Sequence, residues 1–311
     1  MRPPAGSKRC SRCRAGASDV QLKPPSRIVW SGALSFLLAL PASAVFAACP
    51  GEERIDAIVR AWQKAEPIRG LPADLAMADA VCIRDGLVER LLPSLGRIIG
   101  YKAGLTNEAI QQRFGVSSPV RGVLLENMLL PDGAEVPAQF GARPVVEADL
   151  LVEVKDAAIH EAITHLDVLR SLSRVMPFIE LPDLMLAEGE KLTAPLIVLT
   201  NVGARLGVVG QGIPVETTEK FAATLAAMRV VVTDQDGKKM ASGTGTAILG
   251  HPLNAVLWLA QDLDRSGIRL KPGDVLSLGS FTPLLTPRAG MTIEVRYLGL
   301  PGDPEVSVRF K

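Results

Sequence analysis

The run VVEADLLVEV at 145–154 places Glu147, Asp149 and Glu153 at one parity. Side chains alternate faces along a strand, so the three carboxylates share one face while Val146, Ala148, Leu150, Val152 and Val154 fill the other. Acids at i and i+2 of a strand stand about 6–7 Å apart at the backbone, a separation that a cation can bridge. Hard cations such as Mg2+ and Mn2+ take oxygen ligands and keep positions open for water or substrate. Two or three carboxylates from adjacent strands meet that need. Three more acids lie in apolar settings: Glu180 in PFIEL, Asp183 three residues on, and Glu126 in VLLENM. Glu180 is the most telling, because an acid between Ile179 and Leu181 is costly unless it is paired or metal-bound. A solvated sheet face, on which alternating acids cost nothing, has the same pattern, and the residues alone leave both readings open.

Lys102 sits in the apolar stretch RIIGYKAGL. It is either an edge lysine whose stem lies along apolar surface or a cation that meets a substrate carboxylate or balances the acids. His160 and His165 lie in a polar stretch. His251 follows Gly250 at a helix start, where a cap or a satisfied core role outweighs catalysis. No GxSxG or other local signature of a serine or cysteine nucleophile occurs, which disfavours covalent catalysis.

The elements that must position these groups follow from periodicity. Ile55, Ile58, Val59 and Trp62 recur at helical spacing, and Leu75, Ala78, Cys82, Leu87 and Leu91 resume it after Pro67 and Gly70, predicting two antiparallel helices. RIIGYKAGL reads as a strand, and TNEAIQQRF as a short helix capped by Thr106 or Asn107. Residues 115–141, with Pro119, Pro131, Asp132-Gly133 and Pro137, read as a looped region around the apolar patch GVLLENMLL. Strands dominate beyond residue 144: VVEADLLVEV, PFIEL, a pair within PLIVLTNVGARLGVV, a hairpin turning at Asp236-Gly237, then DVLSLGS, MTIEVRYLG and EVSVRF. HPLNAVLWLAQDLDRSG is the clearest helix, stopped at Gly267. No βαβ rhythm, GxGxxG fingerprint or internal repeat is present. The class is α+β, a large mixed or antiparallel sheet system preceded by a helical segment.

The chain has 311 residues, 48% of them apolar, enough to bury a large core. With 34 basic and 33 acidic residues the net charge is +1, and aromatics make up 4%. Neither an electrostatic footprint for nucleic acid or an anionic membrane nor a base-stacking surface follows, so a small neutral or anionic ligand is the implied partner.

Residues 1–48 form a different text: a basic, Pro-containing stretch, then the apolar run IVWSGALSFLLALPASAVFAA with small residues at Ala42-Ser43-Ala44. This order describes a signal peptide and hence export, with no membrane span after cleavage. An uncleaved anchor or lipidation at Cys49 are the alternatives. Cys10 and Cys13 form a CxxC without the second pair that a zinc site needs. In an oxidising compartment Cys49 and Cys82 can form a disulfide; the other reading of Cys82 is a buried apolar thiol. The domain reading is 1–48 n-region and signal peptide, 49–95 helical segment, and 96–311 catalytic domain.

The motifs GYKAGLT (100–106), RGVLLENM (121–128), VVEADL (145–150), PFIELPD (177–183), SGTGTAILGHPLNAVLWLA (242–260) and PGDVLSLGSFTP (272–283) stand in one order. In that order the chain resembles, over roughly 52–311, the 2-keto-4-pentenoate hydratase and 4-oxalocrotonate decarboxylase branch of the fumarylacetoacetate hydrolase superfamily. The resemblance implies a mixed β-sandwich roll with a helical N-terminal part, assembled as a homo-oligomer. It implies Mg2+ or Mn2+ held by Glu147, Asp149 and Glu180. Lys102 matches the family's active-site lysine, with Asp183 and Glu126 as further acid–base candidates and Ser280 and Thr282 as hydrogen-bond donors to substrate. Glu153 has no counterpart role.

The implied reaction is hydration of a 2-hydroxy-2,4-dienoate or related 2-oxo acid. The acid chelates the metal through its carboxylate and C2 oxygen, and water adds to the conjugated carbon with help from an acid or base. Two alternatives stay open: decarboxylation or C–C hydrolysis on the same platform, or a catalytically silent periplasmic protein that binds oxo acids. Three departures bear on the choice. Asp149 stands where the family usually has Glu, Leu184-Met185 stand where it commonly has Ser-Arg, and the chain carries a signal peptide.

Overall fold

The computed structural model describes residues 51–311. The expected signal peptide, Cys10, Cys13 and Cys49 lie outside the described residues. Two helices come first, α1 (Glu52–Lys64) and α2 (Met77–Leu95). Their apolar stripes, Ile55, Ile58 and Val59 on one and Ala80, Ile83, Leu87 and Leu91 on the other, are buried in the same core as the sheets. Cys82, on α2, is disulfide-bonded.

Two sheets follow. The larger runs β2 (Val120–Leu125), β1 (Ile98–Gly104), β11 (Val275–Ser277), β5 (Glu147–Val154), β6 (Leu172–Leu181), β7 (Leu206–Val209) and β3 (Leu129–Pro131), with β8 (Ile213–Pro214) paired to β6. The smaller runs β10 (Lys239–Thr244), β9 (Arg229–Asp234), β12 (Thr292–Leu298), β13 (Glu305–Phe310) and β4 (Ala134–Val136). The β1–β11, β3–β7 and β4–β13 pairs are parallel and the others antiparallel, so both sheets are mixed. Tyr297 of β12 ties them together. Its fully buried hydroxyl sits against the carbonyls of Asp149 and Phe178 and accepts from the Phe178 N–H at 3.1 Å.

The remaining helices are α3 (Glu108–Phe114), α4 (His165–Arg170), α5 (Ala194–Leu199), α6 (Glu219–Ala227) and α7 (Pro252–Arg265). Asn107 caps α3 and His251 caps α7, each accepting a backbone N–H of its first turn. Among the described residues no helix is long and apolar enough to cross a membrane.

Two segments differ from the sequence reading. GVLLENMLL is not loop: Val120–Leu125 is a fully buried strand, and the prolines lie outside it. PLIVL is not strand: Thr193 accepts the Leu196 N–H and Pro195 occupies the first turn, so cap chemistry turns an apolar run into α5.

Candidate active site

The larger sheet is rolled. The segment 201–203, which leads toward β7 near one edge, meets β1 and β2 at the other. Asn201 donates its amide to the Val123 carbonyl at 2.9 Å and accepts the Val123 N–H at 2.7 Å. Glycines make this approach possible. A Cβ at Gly122 would meet the Asn201 carbonyl and Lys102 Cγ, both at 2.8 Å, and one at Gly104 would meet Val202 Cγ1 at 2.4 Å. Asn201, Val202 and Gly203 all have positive φ (57°, 54° and 70°), a conformation costly for a β-branched residue. That strained turn aims the Val202 carbonyl at Lys102.

Lys102 (3% exposed) thus lies inside the roll, donating to Val202 O at 2.9 Å and to a Glu180 carboxylate oxygen. Strands β1 and β6 are separated in the sheet by β11 and β5, which in a flat sheet would mean about 14 Å. Rolling closes that gap. On β5, Glu147 is the register partner of Glu180 on β6, and the two carboxyls interact electrostatically. Glu147 is partly exposed, whereas Glu180 (2%) and Asp149 (0%) are buried.

Three acids therefore share the region with one lysine. Burial, then the Glu180 charge, pushes Glu147 up to about 8 against the opposing pull of Lys102. Burial and Glu180 push Asp149 up to about 7, against hydrogen bonds from Ser277 and Leu150. This surplus of buried carboxylate oxygen fits a hard divalent cation. Glu147 and Glu180 are the pair that meets. Among the described residues, no group of three His, Cys, Asp or Glu is arranged to hold a metal ion. Asp149 instead turns its carboxylate to Ser277 Oγ and to the Leu278 and Gly279 amides.

The other expected site residues divide. Asp183 (1% exposed) accepts N–H bonds from Ala142, Arg143 and Met185 and stands 3.5 Å from Arg205 Nη1, so its oxygens are engaged in holding two loops. Glu126 does not join the others. It lies just past the end of β2, four residues and so about 13 Å along the chain from Gly122, the register partner of Lys102, and contacts Arg97 at the surface. Ser280 and Thr282 lie on a segment bonded to β5 through the Phe281 N–H and Ala148 O at 2.9 Å. Ser280 Oγ donates to the Thr282 carbonyl at 2.7 Å. Thr282 Oγ1 is buried without a partner. Glu153 pairs with Arg174 at the sheet margin.

All three histidines serve structure. His160 bridges Ala260 O and the Leu270 N–H, His165 contacts Asn254, and His251 contacts Ala222 O and the Leu253 N–H. Sequence reasoning missed Asn201, Val202, Ser277 and Tyr297. The Asn-x-Gly of TNVG was the available turn signal for the first two.

A rolled mixed sheet with an acid pair and a lysine facing each other inside it defines the class of carboxylate-sited enzymes built on this fold. Comparison with known proteins narrows it. No protein-family profile matches the chain. It is 31% identical over 237 residues to 2-keto-4-pentenoate hydratase 2 of Dechloromonas aromatica, covering 75% of this chain and 88% of that one. It is 29% identical over 234 residues to the TodF product hydratase of Pseudomonas putida F1, covering 75% and 85%. Among solved structures it matches 4-oxalocrotonate decarboxylase from Pseudomonas putida G7 complexed with magnesium and adipate, at TM-score 0.72 and 28% identity over 84% of this chain and 98% of that one. The chain belongs to the 2-keto-4-pentenoate hydratase family, within the fumarylacetoacetate hydrolase superfamily.

Proposed function

We propose that this protein is a divalent-metal-dependent hydratase of a 2-hydroxy-2,4-dienoate or related 2-oxo acid, using Mg2+ or Mn2+. The observation that carries the reading is the Glu147–Glu180 carboxyl pair facing Lys102 inside the roll. Glu147 and Glu180 would hold the cation, and a cation there supplies Lewis-acid polarisation of the substrate's carboxylate and C2 oxygen. Lys102 donates to a substrate carboxylate or carries a proton to the carbon skeleton. Val202 O fixes its direction, and the apolar walls of β1 and β2 exclude bulk water. Thr282 Oγ1, buried and unpartnered, is a ready hydrogen-bond donor to substrate.

The decarboxylase alternative is favoured by one finding, the structural match to 4-oxalocrotonate decarboxylase. A hydrolase that activates water through histidine is disfavoured, because each histidine is held by structural partners. The deciding experiment follows dienoate absorbance and CO2 release in parallel, with Mg2+ or Mn2+ and with chelator. Metal-dependent loss of the dienoate without CO2 supports the hydratase. CO2 release from an oxalocrotonate-type substrate supports the alternative, and neither activity supports the silent binding protein.

The reading extends to an exported, homo-oligomeric protein, on the strength of the apolar run before residue 49 and of the family resemblance. Cell fractionation and light scattering on the full chain test the two parts separately.

A further inference from the structure

Asp149 shares its strand face with Glu147, yet its carboxylate is committed elsewhere. Oδ1 accepts three backbone N–H groups: Leu150 at 2.5 Å, Gly279 at 2.9 Å and Leu278 at 3.1 Å. Oδ2 accepts from Ser277 Oγ at 2.5 Å. The donors belong to the tight exit from β11, where Gly279 has φ 111° and a side chain would strike Thr106 Oγ1 at 2.2 Å. The Leu278 amide also reaches Leu150 O on β5 at 3.1 Å, but the turn leaves the Gly279 amide without a backbone acceptor, and a buried amide needs one. Asp149 provides it. Directly beyond the turn run Ser280, Phe281 and Thr282, laid along β5 by the Phe281 N–H.

We propose that Asp149 is a positioning residue rather than a metal ligand. It fixes the 277–279 turn and through it Ser280 and Thr282, while Glu147 and Glu180 are the two acids that ligate the cation. This rests on the metal-dependent reading given above. The shorter acid suits the role: a carboxylate that accepts three amides on one oxygen and a hydroxyl on the other has little capacity left for a cation.

The test compares D149N, D149A, E147Q and E180Q in the full chain. Mn2+ uptake is followed by electron paramagnetic resonance, the Co2+ visible spectrum reports the ligand set, and amide exchange is followed at Leu278 and Gly279. The side-chain amide of D149N keeps an oxygen for the three backbone N–H groups and turns its NH2 to Ser277 Oγ. The expected result is that D149N holds Mn2+ within about fivefold of the parent and keeps its Co2+ spectrum, while E147Q and E180Q each lose at least tenfold. D149A should speed exchange at Gly279 at least tenfold and at Leu278, which keeps its bond to Leu150 O, by less, with D149N restoring protection. If D149N loses Mn2+ as fully as E147Q, or changes the Co2+ spectrum with both amides still protected, Asp149 is a ligand and the proposal fails alone. A parent protein that takes up no Mn2+ overturns the metal reading itself and the ligand assignment with it.

Discussion

Glu147 and Glu180 are cross-strand partners on β5 and β6, and the Glu180 carboxylate that raises Glu147 also meets the ammonium of Lys102. Two acids so placed need a shared proton or a cation, because like charges in contact cannot both ionise cheaply. Proton and metal therefore compete for one place. Glu147 moves from 4.5 to about 8, so in the metal-free protein its proton is held across that window. A raised carboxyl stabilises the fold below 4.5, and that contribution is lost as pH rises toward 8. Metal uptake at pH 7 should release close to one proton, falling toward none above pH 9. Calorimetry in buffers of different ionisation enthalpy measures it; proton-neutral binding at pH 7 contradicts the arrangement.

Replacing Lys102 by Met removes the ammonium in contact with Glu180 while keeping most of the stem's volume. Breaking a buried pair by deleting one partner costs about 3–5 kcal/mol. K102M should lower the urea midpoint accordingly and abolish dienoate turnover, and saturating Mg2+ should restore part of the stability and none of the turnover. Denaturation with and without metal reads the first effect, and the absorbance assay the second.

How much of this was legible depended on how local the cause was. The parity of Glu147 and Asp149, the strain of placing Glu180 among apolar neighbours and the cap at His251 are properties of a few adjacent residues, and the sequence carried them. The Lys102–Glu180 contact is different. It depends on a roll that brings together strands with two others between them, set by Gly104, Gly122 and the 201–203 turn, and no periodicity encodes it. The diversion of Asp149 to the 277–279 turn was equally hidden, since it arises between segments some 130 residues apart. PLIVL misled because a short apolar run has no period of its own, and the Thr193 cap that decides it lies outside the run.

Gly122→Ala tests the roll directly. The added methyl would stand 2.8 Å from both the Asn201 carbonyl and Lys102 Cγ, and one must move. Overpacking of this kind costs about 1–3 kcal/mol. Because the displaced groups aim Lys102, kcat should fall at least tenfold while Mn2+ affinity changes less than in E180Q. Equal losses in turnover and metal binding would show that the approach serves the carboxylates and not the lysine.

The acid limb of stability should belong largely to His251. Its ring stacks on His165 at 3.9 Å between centroids, Nε2 donates to Ala222 O and Nδ1 accepts the Leu253 N–H, which leaves no place for a second proton. Burial first, then the neighbouring His165, lowers it from 6.5 to about 4. A histidine so depressed binds its proton in the unfolded chain before the folded one. Stability is therefore complete above pH 6.5 and drains away as pH falls toward 4, by up to about 3 kcal/mol. Asn at this position retains an acceptor for the α7 cap but cannot titrate. H251N should leave a distinctly flatter urea-midpoint profile between pH 6.5 and 4 than the parent chain. An unchanged slope would move the acid sensitivity to His160, also lowered by burial and held between Ala260 and Leu270.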